Sequence, residues 1–136
     1  MTKDEIIEFI NANKTAYFAT VDDGKPRVRA MGMYKADETG IYFQSWTMKD
    51  VHKQLVKNPE VELCYNGKGA QVRISGQMEI IDDLEKKKEV VEQRPFMKPT
   101  VEEHGYDVVA LYRLKNAKAH VWTMDTNFDP KNYIDL

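Results

Sequence analysis

The amino-acid sequence predicts a mainly β protein, an antiparallel barrel of six or seven strands with short helices added. Three observations lead there. Segments rich in β-branched and aromatic residues recur along the chain. The connections between them are turn-sized and carry Gly, Asp, Asn and Pro. The strand–helix–strand alternation of a parallel sheet is missing.

Residues 2–11 read as a short amphipathic helix: Thr2 and Glu5 have capping-box spacing, and Ile6, Phe9 and Ile10 form one apolar stripe. Residues 14–21 follow as a strand. Asp22-Asp23-Gly24-Lys25-Pro26 predicts a tight turn into a second strand over 27–36, the two forming a hairpin. A turn at Asp37-Glu38-Thr39-Gly40 leads to a strand over 41–46 and then a helix over 49–57, with Val51 and Leu55 inward and Lys49, Lys53 and Lys57 on another stripe. Asn58-Pro59 ends that helix, because proline disfavours helical geometry in the residue before it.

Strands over 61–65 and 70–81 flank Asn66-Gly67-Lys68-Gly69, a second hairpin connection. Asp82 or Asp83 caps a charged helix to about Gln93, which Arg94-Pro95 breaks. The stretch to Tyr106 carries no clear period. Residues 108–114 and 118–124 read as a last pair of strands, and the tail from Asp125 has no periodicity.

The 136 residues predict one domain, 1–136, with 42% hydrophobic and 31% charged residues as in ordinary globular proteins. A net charge of −2 argues against a general binder of nucleic acid or anionic membrane. Cys64 is the sole cysteine, which excludes an internal disulfide. With no signal-peptide profile at Met1-Thr2-Lys3-Asp4-Glu5, the expected location is cytoplasmic. His52, His104 and His120 have no partner at i+3 or i+4, so no metal site is expected. No phosphate-binding glycine loop or nucleophile elbow is present.

The residues that point to chemistry lie in two places. On the strand beginning at 27, Arg27, Arg29, Met31 and Met33 alternate with Val28, Ala30, Gly32 and Tyr34. Two arginines on successive positions of one face suit an anion, and the small Ala30 and Gly32 let a flat group approach the backbone on the other. The second place is Tyr42-Phe43-Gln44-Ser45-Trp46-Thr47-Met48-Lys49, where a strand runs into a helix start. Unpaired N–H groups, two hydroxyls (Ser45, Thr47) and Lys49 make an anion site there, although Thr47 also serves as an ordinary N-cap candidate. Together the two places predict a phosphorylated small ligand. Gln71, Arg73, Ser75 and Gln77 share one strand face, either solvated or lining a site that reads a ring's heteroatoms.

These pieces, in this order and spacing, resemble the pyridoxamine 5′-phosphate oxidase-like, FMN-binding split barrels. The resemblance rests on Gly24-Lys25-Pro26-Arg27-Val28-Arg29, Ile41-Tyr42-Phe43-Gln44-Ser45 with Lys49 and Leu55, Asn58-Pro59-Glu60-Val61, and Gln71-Val72-Arg73-Ile74-Ser75-Gly76. It implies a split β-barrel that forms a homodimer with FMN at the subunit interface. It implies that Arg27, Val28, Arg29 and Ala30 pass the flavin, that Ser45, Thr47, Met48 and Lys49 complete the phosphate site, that Gln71 reaches the ring, and that Trp122 contacts flavin across the dimer. The implied activity is an FMN-dependent oxidoreductase acting on a small molecule. The alternative is a protein of the same fold that binds flavin, deazaflavin or haem without turnover. Pyridoxamine phosphate oxidases proper carry an arginine and a histidine in a longer C-terminal part. Here Thr123-Met124-Asp125-Thr126-Asn127-Phe128 has neither, which argues against vitamin B6 oxidation.

Overall fold

The computed structural model describes residues Met1–Leu136 as eight strands and four helices. Helix α1 (Lys3–Ala12) opens the chain. The Thr2 hydroxyl accepts from the Glu5 backbone N–H at 3.2 Å, while the Glu5 carboxylate accepts from the Thr2 N–H at 3.1 Å. This reciprocal cap satisfies two otherwise orphaned donors and sets Ile6, Phe9 and Ile10 into the core.

Strands β1 (Thr15–Asp22) and β2 (Lys25–Gly32) form the first hairpin. Its two turn residues, Asp23 and Gly24, both have positive φ (50° and 76°), the geometry that matches the twist of the flanking strands. The same solution recurs at Lys68 and Gly69 (48° and 75°) between β5 (Glu60–Gly67) and β6 (Ala70–Ile80). The remaining strands are β3 (Lys35–Asp37), β4 (Gly40–Trp46), β7 (Val109–Thr123) and β8 (Ile134–Asp135). All pairs are antiparallel, in the order β2-β1-β5-β6-β7-β4-β3, with β8 paired to β7.

The two ends of that order, β2 and β3, are consecutive in sequence, with only Met33 and Tyr34 between them. A sheet whose opposite edges are joined by so short a link has to curl on itself, and this makes the structure a split barrel. Its interior is a core of 23 buried residues, with Phe18 and Phe43 edge to face at 5.2 Å between centroids. Pro26 is tolerated because β2 is an edge strand and needs no ladder donor on its open side.

The expected last strand pair, 108–114 and 118–124, is one strand. β7 runs unbroken against β6 from Tyr112 opposite Ile80 to Thr123 opposite Ala70. The Lys115–Asn116 stretch reads as a turn in sequence because inward residues lose step there: Leu114 and Ala117 are both buried. The cause is a bulge, with a register shift between Ser75 and Gln77 and Asn116 at φ 54°. The predicted strand over 27–36 likewise breaks at Met33, where the chain passes from one sheet edge to the other.

Helix α2 (Asp50–Lys57) buries Val51 and Leu55 as expected. Helix α3 (Leu84–Gln93) is capped by Asp83, whose carboxylate accepts from the Lys86 N–H at 3.1 Å. Beyond it the aperiodic stretch holds a 3-10 turn (Pro95–Met97), helix α4 (Lys98–His104) and a second 3-10 turn (Tyr106–Val108). These elements form a second apolar cluster of Val90, Val91, Met97 and Val101 with Val109 and Leu111 on the outer face of β7. One run of β7 is therefore buried on both sides. No helix is long and apolar enough to cross a membrane.

Candidate functional site

A large open groove of about 1110 Å³ lies between β2 and the β4–α2 junction. β2 contributes Arg27, Val28, Arg29, Ala30 and Met31, and the junction contributes Ser45, Met48 and Lys49. Asp22, Asp50, Lys53, Gln54 and Lys57 complete its polar wall. These eight residues, at most 22 positions apart in sequence, meet because the curl of the sheet brings β2 to face the end of β4, beyond the part of β4 that pairs with β3.

The two arginines differ. Arg29 lies half-buried against the groove floor: Nη1 donates to the Thr20 hydroxyl at 2.8 Å and the Phe18 carbonyl at 3.3 Å, and Nη2 donates to Gln54 Oε1 at 2.6 Å. Thr20 also donates to Gln54 Oε1 at 2.6 Å, so β1, β2 and α2 are tied at one point. Burial pushes the Arg29 guanidinium below its ordinary value, and the Asp50 carboxylate opposes that shift. Arg27 is exposed, with one contact, from Nε to the Asp22 carboxylate at 3.3 Å. Its Nη groups remain available to a ligand.

At the junction, Ser45 is 8% exposed and faces the groove at the end of β4. Helix α2 begins at Asp50, with Lys49 as its N-cap and no side-chain hydrogen bond closing the cap. The first-turn N–H groups of a helix lack intrahelical acceptors, so this end faces the groove with partial positive charge. Thr47, expected in the site, stands off the groove. Its backbone N–H donates to the Val108 carbonyl at 2.9 Å and its hydroxyl contacts Met48 Sδ at 3.7 Å. Nor is Thr47 the N-cap, because the chain makes one further turn before α2 starts.

Gln71 and Trp122 lie apart from the groove in the same chain. They are direct neighbours across β6 and β7. Arg73 donates to Gln71 Oε1 at 2.6 and 3.2 Å and sits over the Trp122 ring at 6.0 Å, while Trp122 Nε1 donates to Asn127 Oδ1 at 2.8 Å. Register places Arg73 in one row with Cys64, Tyr17 and Ala30 on the outer sheet face, and Gln71 and Trp122 lie on the same face two residues further along their strands. No helix covers this face near Val28 and Tyr17, which are 69% and 52% exposed.

Sequence reasoning missed Thr20, Asp22, Asp50 and Gln54. The spacing of Asp50, Lys53, Gln54 and Lys57 on one helix face was available as a signal. The Thr20–Arg29–Gln54 tie was not, since it depends on where α2 docks. A second hollow adjoins the groove and shares Ala30, Met31, Ser45 and Lys49 with it. No group of three or more His, Cys, Asp or Glu is placed to hold a metal ion.

A family model described as pyridoxamine 5′-phosphate oxidase matches residues 2–123. No curated protein sequence matches the chain. Among solved structures, a NimC/NimA family protein from Clostridium acetobutylicum is 25% identical, covering 98% of this chain and 92% of that one with a TM-score of 0.79. A pyridoxamine 5′-phosphate oxidase-related, FMN binding protein from Nostoc punctiforme is 16% identical, covering 96% and 87% with a TM-score of 0.64. PhzG from Burkholderia lata, in complex with tetrahydrophenazine-1-carboxylic acid, is 13% identical, covering 98% and 89% with a TM-score of 0.68.

Proposed function

The chain belongs to the pyridoxamine 5′-phosphate oxidase-like family, and from that premise we propose that it is an FMN-dependent oxidoreductase acting on a small molecule. The observation that carries this reading is the meeting of β2 with the β4–α2 junction at one cationic groove. Five cationic side chains line it against two carboxylates, so it favours an anion. Arg27, Ser45 and Lys49 would hold the phosphate, and Arg29, already bonded to Thr20 and Gln54, would fix the wall behind it.

Charge-assisted hydrogen bonds contribute about 1.5–3 kcal/mol each. Three of them fall short of the roughly 12 kcal/mol that nanomolar binding requires. The flavin body has to supply the rest, and Val28, Ala30, Met31 and Met48 give it an apolar wall in the same groove. When bound, FMN supplies the redox chemistry.

Gln71 and Trp122 do not line their own chain's groove: they stand on the outer sheet face at β6 and β7, separated from β2 by β1 and β5. This face exposes Val28 and Tyr17 and lacks a helical cover. Burying it against a second copy gives those apolar groups a partner, and in such a homodimer Gln71 and Trp122 would approach the other subunit's flavin.

The test is an absorbance spectrum of the purified protein, followed by titration of flavin-free protein with FMN and with riboflavin. FMN is expected to bind at least about 100-fold more tightly, the worth of two charge-assisted bonds. Absence of any flavin binding, or equal affinity for both ligands, sinks the reading. Reduction by NADH or NADPH with turnover of an acceptor then separates an enzyme from a protein that only binds flavin.

A further inference from the structure

Lys49, Lys53 and Lys57 follow one another at intervals of four residues from the N-cap of α2 to its last residue, so they share one stripe along its axis. All three line the groove, while Val51 and Leu55 are buried on another stripe of the same helix. None of the three forms an ion pair within the chain. Like charges four residues apart on a helix repel, so the stripe destabilises α2 unless something outside the chain meets it. Gripping one phosphate accounts for Lys49 and leaves Lys53 and Lys57 without a role.

Charge and length both point past a single phosphate. Arg27, Arg29, Lys49, Lys53 and Lys57 line the groove with Asp22 and Asp50, an excess of three positive charges. The Asp22 carboxylate is already taken by Arg27 at 3.3 Å. A phosphate monoester carries about −1.5 to −2 near neutral pH, so bound FMN leaves about one positive charge unmatched. A helix rises about 1.5 Å per residue, which puts Lys53 about 6 Å and Lys57 about 12 Å beyond Lys49 along the axis. One phosphate held at Ser45 and Lys49 does not cover that stripe. The groove does, since its wall continues along α2 through Gln54 to Lys57.

We infer that the groove has a second anion subsite, formed by Lys53 and Lys57, that takes a phosphate group beyond the one FMN carries. The inference rests on the FMN reading. Lysine suits this role because it is a mobile point charge on a flexible stem, selecting by charge more than by shape. Two sources supply the second phosphate: the diphosphate of a flavin dinucleotide lying along α2 in place of FMN, and that of a nicotinamide dinucleotide bound beside FMN.

The test uses the full-length protein beside two double variants, Lys53→Gln with Lys57→Gln and Lys53→Arg with Lys57→Arg. Glutamine and arginine are good helix formers, and both positions are exposed, so α2 is kept. In one arm flavin-free protein is titrated with FMN and with FAD. In the other, FMN-loaded protein is titrated with NADP+ and with nicotinamide riboside, which has the same ring and no phosphate. A flavin dinucleotide predicts that FAD binds about tenfold more tightly than FMN, the worth of one charge-assisted contact. A nicotinamide dinucleotide predicts the same factor for NADP+ over the riboside and no preference for FAD over FMN. In either case the preference is lost in the glutamine variant, kept in the arginine variant and weakened by salt. The inference is overturned if flavin binds but both preferences fall below about threefold, or if the glutamine variant keeps the preference. Where a variant does not fold, the comparison in the unaltered protein and its salt dependence decide. Failure to bind any flavin overturns the FMN reading instead, and this inference with it.

Discussion

Replacing each groove arginine by methionine separates two roles that sequence alone assigns jointly. Arg29 makes three hydrogen bonds inside the protein, at 2.6, 2.8 and 3.3 Å. At a net worth of about 1 kcal/mol each, with the longest discounted, Arg29→Met removes about 2–3 kcal/mol of stability. Its aliphatic stem is kept, so no cavity term is added. For a chain of this length that lowers the melting temperature by roughly 6–15 °C. Arg27 has one exposed contact, to Asp22 at 3.3 Å. Such surface pairs are worth about 0–1 kcal/mol, so Arg27→Met moves the melting temperature by less than about 4 °C. It nevertheless removes a free guanidinium from the groove and weakens FMN about tenfold, with riboflavin unaffected. The assays are thermal melting of flavin-free protein and fluorescence titration of both flavins. The reasoning is refuted if Arg29→Met melts within about 2 °C of the parent, or if Arg27→Met leaves the FMN-to-riboflavin ratio intact.

Three further outcomes are expected. Asp50 faces the groove as a like charge to any phosphate, so Asp50→Asn should tighten FMN by about three- to tenfold, and less so in high salt, as titrations at two ionic strengths would show. Burial, helped by nearby Lys87, holds the His52 imidazole below its ordinary value of 6.5, and its Nδ1 meets the Tyr112 hydroxyl at 2.6 Å. The folded protein then binds that proton more weakly than the unfolded chain, so the His52 contribution is complete above about pH 6.5 and is lost as the pH falls through the folded value. Urea unfolding of His52→Gln across pH 5 to 8 should show a shallower decline on the acid side than the parent. A Cβ at Gly76 would meet the Lys115 carbonyl oxygen at 2.5 Å and Leu114 Cδ1 at 2.9 Å, so Gly76→Ala should cost about 1–3 kcal/mol by forcing the β6–β7 bulge apart, read as a lower denaturation midpoint.

Much of the fold was legible because local signals coincided with the tertiary solution. The Thr2–Glu5 cap, the Asp23-Gly24 hairpin and the Asn58-Pro59 stop each concern neighbours in sequence, and each is present. The misreadings share a cause. At Lys115–Asn116 the sequence shows a loss of alternation, which a turn and a bulge produce alike, and only the partner strand β6 distinguishes them. At Pro95–Tyr106 the helical segments are too short to show a period, and they hold their shape by packing Met97 and Val101 on β7.

The candidate site divides along the same line. The residue types that make an anion groove, Arg27, Arg29, Ser45 and Lys49, were readable from strand alternation and from the strand-to-helix junction, because both are local geometry. Their convergence required the curl of the sheet that puts β2 beside the end of β4. The separation of Arg27 from Arg29 required the docking of α2, which brings Gln54 to one guanidinium and leaves the other in solvent. The place of Gln71 and Trp122 on the outer face required the register of five paired strands. Sequence by itself determined the strands and turns of the two hairpins and the chemical character of the groove, since these depend on residues a few positions apart. Tertiary structure alone decided which arginine is free, since that depends on contacts between elements far apart in the chain.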